Sequence, residues 1–129
     1  MRKMTIRYLF IISIVFIYSC EGGTTFSKIV DNKSTETITI KMTTSFGGEQ
    51  EHTIAPNETK TIYLYDVERL FADDTYNCIE EFDSVKIEIS NNKTLEKDFF
   101  NDNNWENESS GGRNSKEKCT FTVLEDDIQ

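Results

Sequence analysis

Histidine is nearly absent from this chain: His52 is the only one in 129 residues. A metal centre built on two histidines is excluded, as is a catalytic relay that needs a second imidazole. Cys78 acting as nucleophile with His52 as its base is the pairing composition leaves open, and it competes with a disulfide for the same sulfur. His52 itself lies in "EHTI", which reads as a strand residue at an exposed edge. The glycine pairs Gly47-Gly48 and Gly111-Gly112 are not followed by Lys-Ser/Thr or by a helix-forming run, so no phosphate cradle is encoded and they read as loop hinges. No apolar run reaches the roughly 20 residues that cross a bilayer. An excess of basic residues is missing too: 14 Lys and Arg stand against 23 Asp and Glu, a formal charge of −9. That disfavours nucleic acid as a partner, because such binding depends on cations that neutralise phosphates.

What the chain does have begins at its amino terminus. Arg2, Lys3 and Arg7 precede "YLFIISIVFIY", Tyr8 to Tyr18, which carries no charge. A basic segment followed by a short apolar one is the pattern of a secretory signal, and the run has about half the length that spanning requires. It closes on Ile17, Tyr18, Ser19 and Cys20, a quartet that resembles the lipobox of bacterial lipoprotein signal peptides, with Ser19 as the small residue before the cut. The resemblance implies that residues 1–19 are removed. Cys20 then becomes the first residue, carrying a thioether diacylglycerol and an amide-linked acyl chain of the palmitate class. At about 0.8 kcal/mol per buried methylene, three acyl chains attach the protein to the membrane permanently. An ordinary signal peptide with an incidental cysteine is the alternative.

Losing Arg2, Lys3 and Arg7 takes the formal charge from −9 to −12. Such a domain is repelled by anionic headgroups, so lipid and not surface charge should hold it. Residues 20–23 form the lipidated terminus and a short tether, and about four residues reach only some 14 Å. The domain, residues 24–129, therefore sits close over the membrane. With Cys20 occupied by lipid, Cys78 and Cys119 remain as an even pair in an oxidising compartment. A disulfide is the natural inference, two buried free thiols the alternative.

From Thr24 onward the dominant period is two. "TTFSKIV" reads as a first strand, and in "TETITIKMT" Ile38, Ile40 and Met42 point one way while Thr37, Thr39 and Lys41 point the other. "EHTIA" and "TKTIYLY" flank Pro56-Asn57, a turn signal that predicts a hairpin, with Ile62 and Leu64 on one face of the second strand. "DVERLFADD", residues 66–74, offers one short helical turn capped by Asp66. "DSVKIEIS" alternates again, and Asn91-Asn92 supplies the positive φ of a tight hairpin whose return strand is "KTLEKDFF". Residues 101–118 lack an apolar period and read as a long polar loop. Cys119, Phe121 and Val123 share one face of the last strand. Seven short strands in one domain predict an all-β sandwich of immunoglobulin-like or transthyretin-like kind, with a small, partly closed barrel as the alternative.

Few residues suggest chemistry. Carboxylates cluster at Asp73-Asp74, at Glu80, Glu81 and Asp83, and at Glu125–Asp127, but no cleft is implied and solvated loop ends account for them. "DNNWENESSGGR" places Asp102, Asn104 and Glu106 at alternate positions as a calcium loop does, then breaks the pattern with Asn107 at position six and Arg113 at position twelve. Trp105, the sole tryptophan, either stacks on a ligand or pins the loop to the domain. Asp102, Asn104, Trp105 and Arg113 are the candidate binding residues. No catalytic residue, metal or cofactor is predicted. Four Asn-x-Ser/Thr triplets, at Asn32, Asn57, Asn92 and Asn107, read as asparagine-rich composition. Asp83-Ser84-Val85 looks like an acceptor tripeptide of bacterial O-glycosylation.

The plan resembles the small uncharacterised lipoproteins of Gram-negative bacteria, which implies a place in the cell envelope, on the outer membrane. The expected function is a lipid-anchored, non-enzymatic binding or structural module that contacts protein or glycan through its loops. The alternative is an acidic inhibitor or immunity lipoprotein that neutralises a basic envelope-active enzyme or toxin by charge steering.

Overall fold

Alternation along the first strand is complete: in β1 (Thr24–Asn32) the side chains of Thr24, Phe26, Lys28, Val30 and Asn32 are all buried. The computed structural model describes residues 22–68, 76–112 and 114–129. The signal segment, Cys20, Arg113 and most of the helical turn expected over 66–74 lie outside those residues. β2 (Ile38–Thr44) buries Ile38, Ile40 and Met42, the face its spacing predicts. β3 (Gly48–Ile54), β4 (Thr59–Val67), β5 (Phe82–Ile89), β6 (Trp105–Ser110) and β7 (Ser115–Val123) complete the set.

These seven strands form two sheets, ordered β4-β1-β7-β6 and β3-β2-β5. β1 is central in the first, antiparallel to β4 with Thr24 opposite Val67, and parallel to β7 with Thr24 opposite Ser115. Val30, Ile62, Phe121 and Val123 from one sheet meet Ile38, Ile40, Ile54 and Ile89 from the other in a single core. The fold is thus an all-β, two-sheet sandwich, and among the described residues each sheet keeps open edges instead of closing into a barrel.

Five local expectations fail, each for a physical reason. The Pro56-Asn57 turn forms as its residues dictate, with Asn57 at φ 58° and the Glu58 N–H donating to the Ala55 carbonyl at 3.1 Å. It does not make a hairpin, because β3 pairs with β2 along its whole length and β4 pairs with β1. The turn carries the chain from one sheet to the other. In β4 the pairing with β1 slips between Lys28 and Ile29, leaving Ile62 as an extra residue. Ile62 and Tyr63 therefore both point inward, and Leu64 is turned out, 61 % exposed.

Asn91 and Asn92 take positive φ, 59° and 56°, yet no strand returns from them. Leu95 makes one isolated bridge to Ile128, and Thr94 exchanges hydrogen bonds with Gln129. The sixth strand is β6, inside the stretch expected to be a polar loop, so the connection to β7 shrinks to residues 111–114. β6 is an edge strand whose side chains after Trp105 are all exposed, so it leaves no apolar period to read. Asp66 and Val67 extend β4 and do not begin a helix.

Candidate functional site

The most constrained chemistry lies inside the sandwich. Lys28 and Cys119 are register partners on adjacent parallel strands, so their side chains enter the interior side by side. Cys119 is bonded to Cys78, which belongs to the segment leading into β5. That bond brings the Cys78 carbonyl onto Lys28, whose Nζ donates to it. Three residues further along, Glu81 places Oε2 2.5 Å from the same ammonium. The Lys28 side chain has no solvent exposure and Glu81 only 8 %.

Aromatic rings close the cluster. Lys28 Nζ lies 4.5 Å from the centre of the Tyr76 ring and 5.5 Å from that of Phe82. The Glu81 carboxylate accepts from the hydroxyls of Tyr65 and Tyr76, the latter at 3.0 Å to each oxygen. Burial lowers the Lys28 pKa, and the hydrogen bond and charge of Glu81 oppose that shift. Burial also raises both tyrosines, reinforced by the Glu81 contact at Tyr65 and by the Tyr65 contact at Tyr76. The hydroxyls therefore stay protonated donors, and the cluster is an internally neutralised set that holds segment 76–81 against β1. Cys78 is consumed by the disulfide, which removes the pairing of a Cys78 nucleophile with His52. His52 lies half-buried on β3, its pKa lowered by burial and by Lys60.

The predicted contact residues serve the same corner. Asp102 accepts the Cys78 backbone N–H at 2.8 Å, tying its own turn to the disulfide. Asn104 donates to the Asp98 carbonyl at 2.8 Å. Trp105 is 7 % exposed, donates through Nε1 to the Phe99 carbonyl at 2.9 Å, and packs its ring against Phe82, Phe99 and Phe121. It is a pin, and what remains open is a groove of about 400 Å³ beside it, lined by Lys97, Asn103, Asn104, Glu106, Thr120 and Thr122. Asp102, Asn104 and Trp105 are brought together; Arg113 lies outside the described residues.

The Asp73-Asp74 pair lies outside the described residues, and carboxylates of the other acidic clusters are used locally. Glu125 accepts the Thr35 N–H at 2.7 Å, Asp127 accepts the Leu124 N–H at 2.8 Å, and Asp83 accepts from the Ser45 hydroxyl at 3.0 Å. Among the described residues no group of three or more His, Cys, Asp or Glu could hold a metal ion. Asn32 is fully buried, its amide donating to the Glu36 carbonyl at 2.8 Å and the Ala55 carbonyl at 3.0 Å, whereas Asn57, Asn92 and Asn107 are exposed. Ser84 is exposed on β5, in a groove of about 460 Å³ that it shares with Lys41, Thr43, Glu49, Glu51 and Lys86 on the outer face of the smaller sheet.

Sequence reasoning missed Lys28 and Glu117, and it read Glu81 as a solvated loop-end acid, whereas Glu81 is buried and paired with Lys28. The signal for Lys28 was available: it stands midway between Phe26 and Val30, so the period of two puts it on the buried face. Glu117 has the same relation to Cys119 and Phe121, and it is fully buried with Oε2 accepting from Ser109 at 2.5 Å. Neither position announces its partner in the sequence.

Comparison of the chain with protein-family models, with curated proteins and with solved structures gave no match.

Proposed function

We propose that this protein is a lipid-anchored, non-enzymatic module of the cell envelope, held by acyl chains on Cys20 and contacting a protein or glycan through its exposed surface. The observation that carries the reading is the use of the interior: the buried groups Lys28, Glu81 and Tyr76, with the half-buried Tyr65, satisfy one another. Their chemistry is spent on stapling a scaffold. The preferred contact surface is the amide-rich groove of Lys97, Asn103, Asn104, Glu106, Thr120 and Thr122, which rests on the rigid corner built by Trp105 and the disulfide.

Cys20→Ser tests the anchor. The variant is expected in the soluble fraction, and its persistence with the membrane overturns the reading. Cross-linking in intact envelopes followed by identification of the captured partner tests the contact. Loss of capture in a folded Asn104→Ala, Glu106→Ala, Thr120→Ala chain supports the groove, and unchanged capture removes it. An acidic inhibitor of a basic partner is a second reading, favoured by the charge of −12 on residues 20–129. It requires association that slows steeply between low and physiological salt.

A further inference from the structure

Two large apolar side chains are left in solvent on one flank of the sandwich. Phe46, in the turn between β2 and β3, is 84 % exposed, and Leu64, turned outward by the β4 bulge, is 61 % exposed. They are not scattered singly. Both line one groove of about 400 Å³, together with Gly47, Gln50, Tyr63 and Tyr65. An isolated exposed apolar residue is ordinary, but two that converge on a groove floored by tyrosines form a patch that calls for an occupant.

The position of the chain's exit says what that occupant is. The Gly23 carbonyl accepts the Ser115 N–H at 3.0 Å, and Thr24 stands opposite Val67, so the amino terminus leaves the first sheet at the end where β4 finishes. Leu64 is three residues up β4 from Val67, a rise of about 10 Å. Cys20 is three residues before Gly23, a reach of about 10 Å. Acyl chains on Cys20 therefore hold the Phe46–Leu64 flank within reach of the bilayer surface.

We propose that this flank, with Phe46 and Leu64 as its apolar contacts and Tyr63 and Tyr65 beside them, lies against the lipid interface and fixes the orientation of the tethered domain. The proposal rests on the Cys20 anchor and deepens it: the acyl chains hold the protein at the membrane, and the flank decides which surface faces away. β4 is an edge strand of the larger sheet, and β6, with the groove of Asn104 and Thr122 beside it, is at the opposite edge. Docking β4 on the bilayer thus presents the proposed contact groove to the periphery. Because the domain is strongly acidic, the contact suits neutral headgroups and is weakened by anionic ones.

The test uses the processed, full-length protein in phosphatidylcholine vesicles with brominated acyl chains. Phe46→Trp reports the flank and Asp126→Trp, exposed at the far end of the sandwich, serves as control; Trp105 stays in place, shielded in the core. The mass of each mature chain is measured in parallel. The expected result is a diacyl- and acyl-modified chain in which Trp at position 46 shifts to the blue and loses about half its emission, as residues seated 5–10 Å into the interface do, while Trp at 126 is unaffected. A correctly acylated chain in which both positions are quenched equally, or neither is, overturns the inference and leaves the anchor standing. A mature chain without acyl modification overturns the anchor and this inference with it.

Discussion

Removing the Glu81 charge is the most direct test of how the interior is built. In Glu81→Gln the new side chain keeps an oxygen for the Tyr65 and Tyr76 hydroxyls, so the perturbation falls on Lys28, whose Nζ loses the carboxylate 2.5 Å away. With no exposure, that ammonium cannot turn to water. Breaking a buried pair by removing one partner costs about 3–5 kcal/mol. The alternative escape, loss of the Lys28 proton at pH 7, lies about 3.5 units below its ordinary value of 10.5 and costs about 5 kcal/mol at 1.36 kcal/mol per unit. The Cys78 carbonyl and the faces of Tyr76 and Phe82 return part of this, about 0.5–2 kcal/mol for the rings. A net loss of about 3 kcal/mol is therefore expected, out of the 5–15 kcal/mol typical of a domain.

Urea unfolding with the disulfide intact measures it, and at an m of about 1–2 kcal/mol/M the midpoint drops by about 2 M. The pH dependence carries a sign. If folding forces the Lys28 proton off, the unfolded chain binds more protons than the folded one up to pH 10.5, so the variant's stability rises with pH towards that limit. In Lys28→Met with Glu81→Gln neither charge remains, and most of the loss should be recovered. A single variant that loses less than about 1 kcal/mol, or a double variant no more stable than Glu81→Gln, refutes the account of a coupled pair.

Three further outcomes follow from the same structure. Cys78→Ala with Cys119→Ala opens a loop of 41 residues, a loop-entropy term of about 4 kcal/mol that sets the lower bound on the expected loss, read as a lower thermal midpoint. Glu36, held by Lys93 and Ser90 and then Asn91, has its pKa lowered to about 2, so it adds stability above its ordinary 4.5 that is lost as pH falls through 2. Glu36→Gln should flatten acid unfolding in that window, and an unchanged profile counts against the clamp. Trp105→Ala should cost about 3–5 kcal/mol by emptying the pocket among Phe82, Phe99 and Phe121. A folded, equally stable variant with altered partner capture would instead make Trp105 a contact.

The class of the fold could be read from the period of two in β1, β2 and β5, where one face is covered and the other is wet. Where cover is missing the signal vanishes, which is why β6 was indistinguishable from a loop: beyond Trp105 both its faces are exposed. The β4 bulge was invisible for the opposite reason, since a one-residue slip reassigns Ile62, Tyr63 and Leu64 without changing composition. Turn chemistry at Pro56-Asn57 was legible, but the sheet each flanking strand joins depends on partners distant in sequence. The disulfide could be inferred by counting; that it sets the Cys78 carbonyl on a buried lysine could not.

That last connection joins the charged interior to the redox state of the two cysteines. Lys28 lies on a central strand and enters the core only because Glu81 and the Cys78 carbonyl are delivered to it. Segment 76–81, which delivers them, is fastened by Cys119 on one side and by the Asp102 carboxylate on the Cys78 N–H on the other. In a reducing environment the first fastening is absent, and burying the ammonium depends on a segment whose ordering entropy is no longer offset. Oxidation and charge burial are therefore coupled: the reduced chain should lose more than the loop term alone, and Lys28→Met should make folding less dependent on the disulfide. A chain that folds this way gains its full stability only where Cys78 and Cys119 can oxidise.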